Sequence, residues 1–176
     1  MALARLCFLL LAAALAASQT QAARLDSRYT PNGGNSWNVE LVISGDGSPA
    51  QISGFTTYFA ETLFENLELL SSPGHWDSLV IQPDPGLPAP GYLDALVLDP
   101  APALGAGQSQ GGFVLRFSYL GAGNPGSLPF EIVDSNFQVL FSGQSQATLV
   151  SEPALWLQLL AGLGLLGRLY LRRRPA

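Results

Sequence analysis

One histidine, His75, stands beside Trp76 and Asp77, and it is the natural first candidate for acid–base chemistry. An imidazole acting as general base needs an orienting carboxylate and a substrate within hydrogen-bond reach. Two residues apart in a turn or strand, His75 and Asp77 are poorly placed to form that pair. With no second histidine, a zinc or iron site lacks its nitrogen ligands. The only cysteine, Cys7, falls in the apolar N-terminal stretch, so the rest of the chain has no disulfide, thiolate nucleophile or cysteine-based metal site. Asp84, Asp94, Asp99 and Asp134 could include the two carboxyls that glycoside hydrolysis requires. Residues 23–150 hold twelve carboxylates, however, so such pairs arise by chance, and most of them read as solvated. Asp46-Gly47-Ser48 and Asp84-Pro85-Gly86 offer oxygens to calcium but fall short of the carboxylate density of an EF-hand loop, and both read more simply as turns. No phosphate-binding glycine loop, nucleophile elbow or dinucleotide fingerprint occurs. The expectation is a non-enzymatic chain with no catalytic, metal or cofactor-binding residue.

Aromatic rings are the better candidates for ligand contact. Trp37, Trp76, Tyr58 and Tyr92 could stack on sugar faces if a flat sheet or loop rim presents them. Trp37 and Tyr58 also sit inside strand-like patterns, where a ring that fills the core is the simpler reading. Trp76 lies next to turn residues and is open to either role. Two or more of the four, exposed on one face, would favour a binding surface.

Charge narrows the partners. Residues 23–150 carry three arginines (Arg24, Arg28, Arg116), no lysine and twelve carboxylates, a formal balance of −9. Such a surface repels phosphate backbones, which argues against a nucleic-acid partner.

These side chains must be held by strands. Trp37, Val39, Leu41 and Ile43 alternate with Asn38, Glu40 and the apolar exception Val42. Phe113, Leu115, Phe117 and Tyr119 alternate with Val114, Arg116 and Ser118. Period two marks strands with one face buried. Weaker versions predict strands at 55–59, 67–70, 79–81, 93–98, 130–133 and 137–141. Turn chemistry separates them at 45–49, 83–86, 100–112 and 121–126, where glycine supplies positive φ and proline removes a ladder donor. Thr62-Leu63-Phe64-Glu65 has capping-box spacing and is expected to give at most one helical turn. Seven or eight short strands broken this way predict an all-β fold, a single β-sandwich of Ig-like or jelly-roll type over residues 23–150. With no disulfide available, its hydrophobic core must stabilise it alone.

Both ends read as addresses. Arg5, the apolar run Leu6 to Ala17, polar Ser18 to Gln21 and small Ala22-Ala23 have the order of a cleavable signal peptide over residues 1–22, its apolar core too short to span a bilayer comfortably. At the other end, Ser151-Glu152-Pro153 precedes an uncharged run from Ala154 to Gly167, followed by Arg168 and the cluster Arg172-Arg173-Arg174. Extended through Leu171, the run would measure about 27 Å as a helix, close to the ~30 Å hydrocarbon thickness. Arg168 would then snorkel to the headgroups and the arginines would stay in the cytoplasm, leaving the domain outside. A short motif, an apolar helix and a terminal arginine cluster in that order resemble the PEP-CTERM sorting signal of Gram-negative bacteria, with Ser151 in place of the first proline. The resemblance covers residues 151–176. It implies a membrane-embedded exosortase as processing partner and a destination at the cell surface or in the extracellular matrix. Apolar length and flanking positive charge alone would also satisfy a plain C-terminal membrane anchor.

A second resemblance lies between the ends. Ile52-Ser53-Gly54-Phe55, Leu67-Glu68-Leu69-Leu70, Trp76-Asp77, Gly111 to Phe117, and Gly123-Asn124-Pro125-Gly126 followed by Phe130-Glu131-Ile132 look like a cohesin-type or carbohydrate-binding-module-type sandwich over residues 37–143. The stretch from Trp76 to Pro85 is similar to the middle section of small sandwich proteins that carry this sorting tail. Cohesins bind a protein through one sheet face, and no residue set here matches that face. The expected function is display of a non-enzymatic surface or matrix domain. The alternatives are a carbohydrate-binding module tying the cell to exopolysaccharide and, third, an anchored hydrolase.

Overall fold

The computed structural model describes residues 23–98 and 103–150, so the signal peptide expected over 1–22 and the tail expected over 151–176 lie outside the described residues. Within the described residues the chain forms only strands, turns and loops, and no helix there is long and apolar enough to cross a membrane.

Alternation becomes strand wherever one face can be buried. The strongest pattern forms β2 (Ser36–Gly45), with Trp37, Val39, Leu41 and Ile43 pointing inward. Its partner β9 (Gln108–Tyr119) buries Phe113, Leu115 and Phe117. Together with β1 (Arg24–Gly33), β5 (Phe64–Ser71) and β12 (Gln146–Leu149), they form one sheet in the order β12-β1-β2-β9-β5. The second sheet comprises β4 (Gly54–Phe59), β6 (Trp76–Ile81), β7 (Gly91–Val97), β10 (Pro129–Val133) and β11 (Val139–Gln144), in the order β11-β10-β4-β7-β6. β3 (Gln51–Ile52) and β8 (Leu104–Gly105) pair as a small ribbon. The described residues therefore form an all-β, two-sheet sandwich.

All pairings are antiparallel except β1 with β12, which run parallel from Asp26↔Gln146 to Tyr29↔Leu149. The Val150 N–H also donates to the Tyr29 carbonyl, at 2.8 Å. The chain thus enters and leaves the sandwich along the same edge of the first sheet.

The inward faces interdigitate as an aromatic core. Phe55 packs edge-on to Phe113 at 5.0 Å between ring centroids, and Phe64 to Phe117 at 5.1 Å. Tyr29 packs edge-on to Phe117. Such pairs add about 0.5–1.5 kcal/mol each beyond their buried area.

Several expectations are corrected. Strand β1 has no counterpart among them: its inward residues are Leu25, Ser27 and Tyr29, and a polar residue in the middle of the buried row hides the alternation. Strand β12 has none either, because its four residues are all exposed and leave no period to read. The turn expected over 100–112 overreaches, since β9 begins at Gln108. Its glycines form a bulge instead: Leu41 faces Phe113 but Ile43 faces Gln110, and Gly112 takes φ 93° to accommodate the extra residue. The strand expected over 137–141 starts only at Val139, because Phe137 sits in a turn at φ 60°. Residues 61–63 form a single turn, with the Leu63 and Phe64 N–H groups both donating to the Ala60 carbonyl.

Candidate functional site

The register of the second sheet decides which side chains share its outer face. Tyr58 on β4 lies directly opposite Tyr92 on β7, and Thr56 opposite Asp94. On the other side of β4, Glu131 of β10 lies opposite Thr56. Val139 of β11 lies opposite Val133 of β10. Because side chains alternate across a strand, all of these project away from the core. They line an open cleft of about 220 Å³ with Phe137 on its rim.

Both tyrosines are half-buried, with ring centroids 6.4 Å apart and planes tilted by 59°. The Tyr58 hydroxyl donates to Glu131 Oε2 at 2.8 Å. Burial and then that carboxylate push the Tyr58 phenol up to about 12, so the proton stays on the ring oxygen at neutral pH. Thr56 Oγ1 donates to Asp94 Oδ1, and the Ser142 hydroxyl lies 3.5 Å from Glu131 Oε1. Tyr92 also lines the cleft, and its hydroxyl can both donate and accept a hydrogen bond.

Phe137 is held at the rim by the turn before β11. Asp134 Oδ1 accepts the N–H groups of Asn136 and Gln138, at 2.8 and 2.9 Å, and the Asp134 carbonyl accepts the Phe137 N–H at 3.0 Å. A left-handed backbone costs a phenylalanine on the order of 1–2 kcal/mol. That cost leaves the ring 55% exposed beside Val139, itself 53% exposed.

Of the four aromatic candidates, the fold brings Tyr58 and Tyr92 together and removes the tryptophans. Trp37 is only 9% exposed and Trp76 7%, both within the core. Trp76 packs edge-on to Phe113 at 5.2 Å and contacts Phe55. Both indoles occupy inward positions of their strands and present little surface to an external ligand, although Trp76 also forms part of the wall of a second cleft of about 430 Å³ with His75 and Gln108. His75 and Asp77 are exposed, with the Trp76 side chain turned inward between them. Asp84 and Asp134 each use Oδ1 to accept backbone N–H groups of their own turns, as the turn reading of 84–86 expected. Asp99 lies outside the described residues.

Thr56, Glu131, Phe137 and Val139 were not singled out by the sequence. Glu131 carried a signal, a carboxylate at an outward position between Phe130 and Ile132, but its approach to Asp94 needs the β10–β4–β7 register.

Both carboxylates accept hydrogen bonds from neighbouring hydroxyls, and the Tyr58 proton is tightly held. The cleft opens directly to water, without the exclusion that strengthens electrostatics at a reacting centre.

Fold and cleft together define a β-sandwich with a small open depression on the outer face of one sheet. No protein-family model matches the sequence, and no curated protein matches it. Among solved structures it is similar to a cohesin module from a family 33 glycoside hydrolase of Clostridium perfringens, at 8% identity and TM-score 0.43, over 74% of this chain and 100% of that one. It is also similar to a type I cohesin–dockerin complex from Clostridium thermocellum, at 11% identity and TM-score 0.40, over 73% of this chain and 100% of that one. A third is the chitin-binding domain of a Streptomyces coelicolor protein, at 14% identity and TM-score 0.36, over 75% of this chain and 98% of that one.

Proposed function

We propose that this chain is a non-catalytic binding module displayed outside the inner membrane. A signal peptide exports it, and residues 151–176 hold it at the membrane. An exosortase-type enzyme then reads Ser151-Glu152-Pro153 and passes the domain to the cell surface or matrix. The observation that carries the binding role is the cleft: a half-exposed tyrosine pair on a rigid sheet, open to solvent and backed by a closed core. Rigid elements hold contact groups more precisely than loops do.

Delivery is tested in the native host. A sorting enzyme needs the Glu-Pro dipeptide, where proline bars a regular helix from extending back over the cut site. Changing Glu152 and Pro153 to alanine should block removal of the tail, leaving a species heavier by the tail on intact-mass measurement. A passive anchor depends on apolar area alone and would be unaffected. Wild-type protein that still carries Arg172 to Arg174 when isolated from its host would sink the processing step.

The Tyr58–Tyr92 pair favours a carbohydrate ligand over a protein partner for this module. Two adjacent rings with hydroxyl and carboxylate acceptors around them suit a sugar, which presents an apolar face and a polar edge. A glycan array probed with the full chain tests that reading, and an array without a hit would remove it.

A further inference from the structure

Charge is distributed unevenly between the two sheets. All three arginines of the domain lie on the first sheet, each near a carboxylate: Arg24 with Asp26 at 3.1 Å, Arg28 with Glu40 at 3.8 Å and Arg116 with Glu68 at 3.3 Å. The outer face of the second sheet holds Asp77, Asp94 and Glu131 and no basic residue among the described residues. Two of these carboxylates, Asp94 and Glu131, line the same cleft as Tyr58, Tyr92 and Phe137. Negative charge at the wall of a cleft lined by aromatic rings is complementary to an organic cation: ring faces attract it by their quadrupole, and the carboxylates by Coulomb force.

We propose that the Tyr58–Tyr92–Phe137 cleft is a subsite for a protonated amino sugar, its ammonium group directed to Asp94 and Glu131 and its ring face to the tyrosines. The inference rests on the carbohydrate-binding reading and adds the ligand's charge. A lysine side chain would supply the same ammonium but little else for the cleft to grip. The Tyr92 and Thr56 hydroxyls at the cleft wall provide hydrogen-bonding groups for a ligand with hydroxyls of its own. A cationic polymer is further drawn to a domain whose formal balance is −9.

The test is calorimetric titration of the full chain in detergent at mildly acidic pH, with three hexamers: glucosamine, N-acetylglucosamine and glucose in β-1,4 linkage. The glucosamine hexamer should bind about tenfold or more tightly than the other two and weaken as salt rises. The paired substitution Asp94→Asn and Glu131→Gln keeps an acceptor for Thr56 and for Tyr58, and it should abolish that preference while the melting curve stays in place. Tyr92→Ala should remove binding of all three. Equal binding of the three hexamers, lost in Tyr92→Ala, would overturn the cationic ligand and leave the carbohydrate reading standing. A preference for glucosamine that survives the paired substitution would overturn the assignment to this cleft. No binding of any hexamer by the folded chain would overturn both, and tighter binding of a lysine-rich peptide in the same cleft would overturn the amino sugar in favour of a protein partner.

Discussion

The hydroxyls of Ser27 and Ser145 meet in the buried interior, 2.7 Å apart, joining β1 to the single residue that links β11 with β12. Ser145 Oγ also accepts the Leu128 N–H at 2.8 Å, and the Ser145 N–H donates to the Leu128 carbonyl. One side chain thus ties both sheets together where the chain crosses from the second to the first. Ser145→Ala orphans the buried Leu128 N–H and leaves Ser27 only its long contact to the Gln146 carbonyl, so it should cost about 1–3 kcal/mol, and more than Ser27→Ala. Urea denaturation with an unchanged slope measures this, and equal costs for the two substitutions would contradict it.

Trp76 belongs to the core, against Phe55 and Phe113. Trp76→Ala should therefore cost about 3–5 kcal/mol and Trp76→Phe distinctly less. Saccharide binding by the folded Phe variant should match wild type. Loss of binding without loss of stability would restore Trp76 as a contact residue.

Gly54 sits on the central strand β4, where a Cβ would collide with Leu96 Cδ2 and come within 3.0 Å of the Ala95 carbonyl and 3.1 Å of Val133 Cγ2. The leucine end can yield, but the carbonyl is fixed in the β4–β7 ladder. Gly54→Ala should destabilise by about 1–3 kcal/mol, read as a lower melting temperature. A neutral substitution would show that the β4–β7 spacing is looser than described.

Alkaline pH should unfold the domain through two phenols. Burial, opposed by the nearby Ser27 hydroxyl and reinforced by Tyr119, pushes Tyr29 up to about 12, its hydroxyl donating to the Gly126 carbonyl at 2.8 Å, and Tyr58 reaches about 12 as well. Both values lie above the ordinary 10.0, so the unfolded chain loses these protons first. Stability is intact below about pH 10 and falls as pH rises towards about 12. Tyrosinate absorbance should show two late-titrating phenols, one fewer in Tyr29→Phe and one fewer in Tyr58→Phe. A melting temperature that stays flat through this window would refute the shifts.

Residues 23–150 should fold without the tail, because the strands close on themselves at Leu149 and, among the described residues, they form a continuous hydrophobic core. The isolated fragment should show a β-type circular dichroism spectrum and a cooperative melt. A spectrum without a cooperative transition would move the boundary.

Much of the fold is legible in the chain because burial on one face imposes a period of two on side chains. Trp37 to Ile43 and Phe113 to Tyr119 therefore announce β2 and β9, and the proline and glycine clusters mark where ladders stop. The same pattern assigns Trp37 to the core. It fails where burial is polar, as at Ser27 in β1, or where an edge strand buries nothing, as in β12. The cleft was beyond it for another reason. Tyr58, Tyr92, Asp94 and Glu131 stand on three strands, and their proximity depends on pairing register across β10, β4 and β7. Sequence periodicity names the face on which a residue stands. Only long-range hydrogen bonding decides which residues of other strands stand beside it.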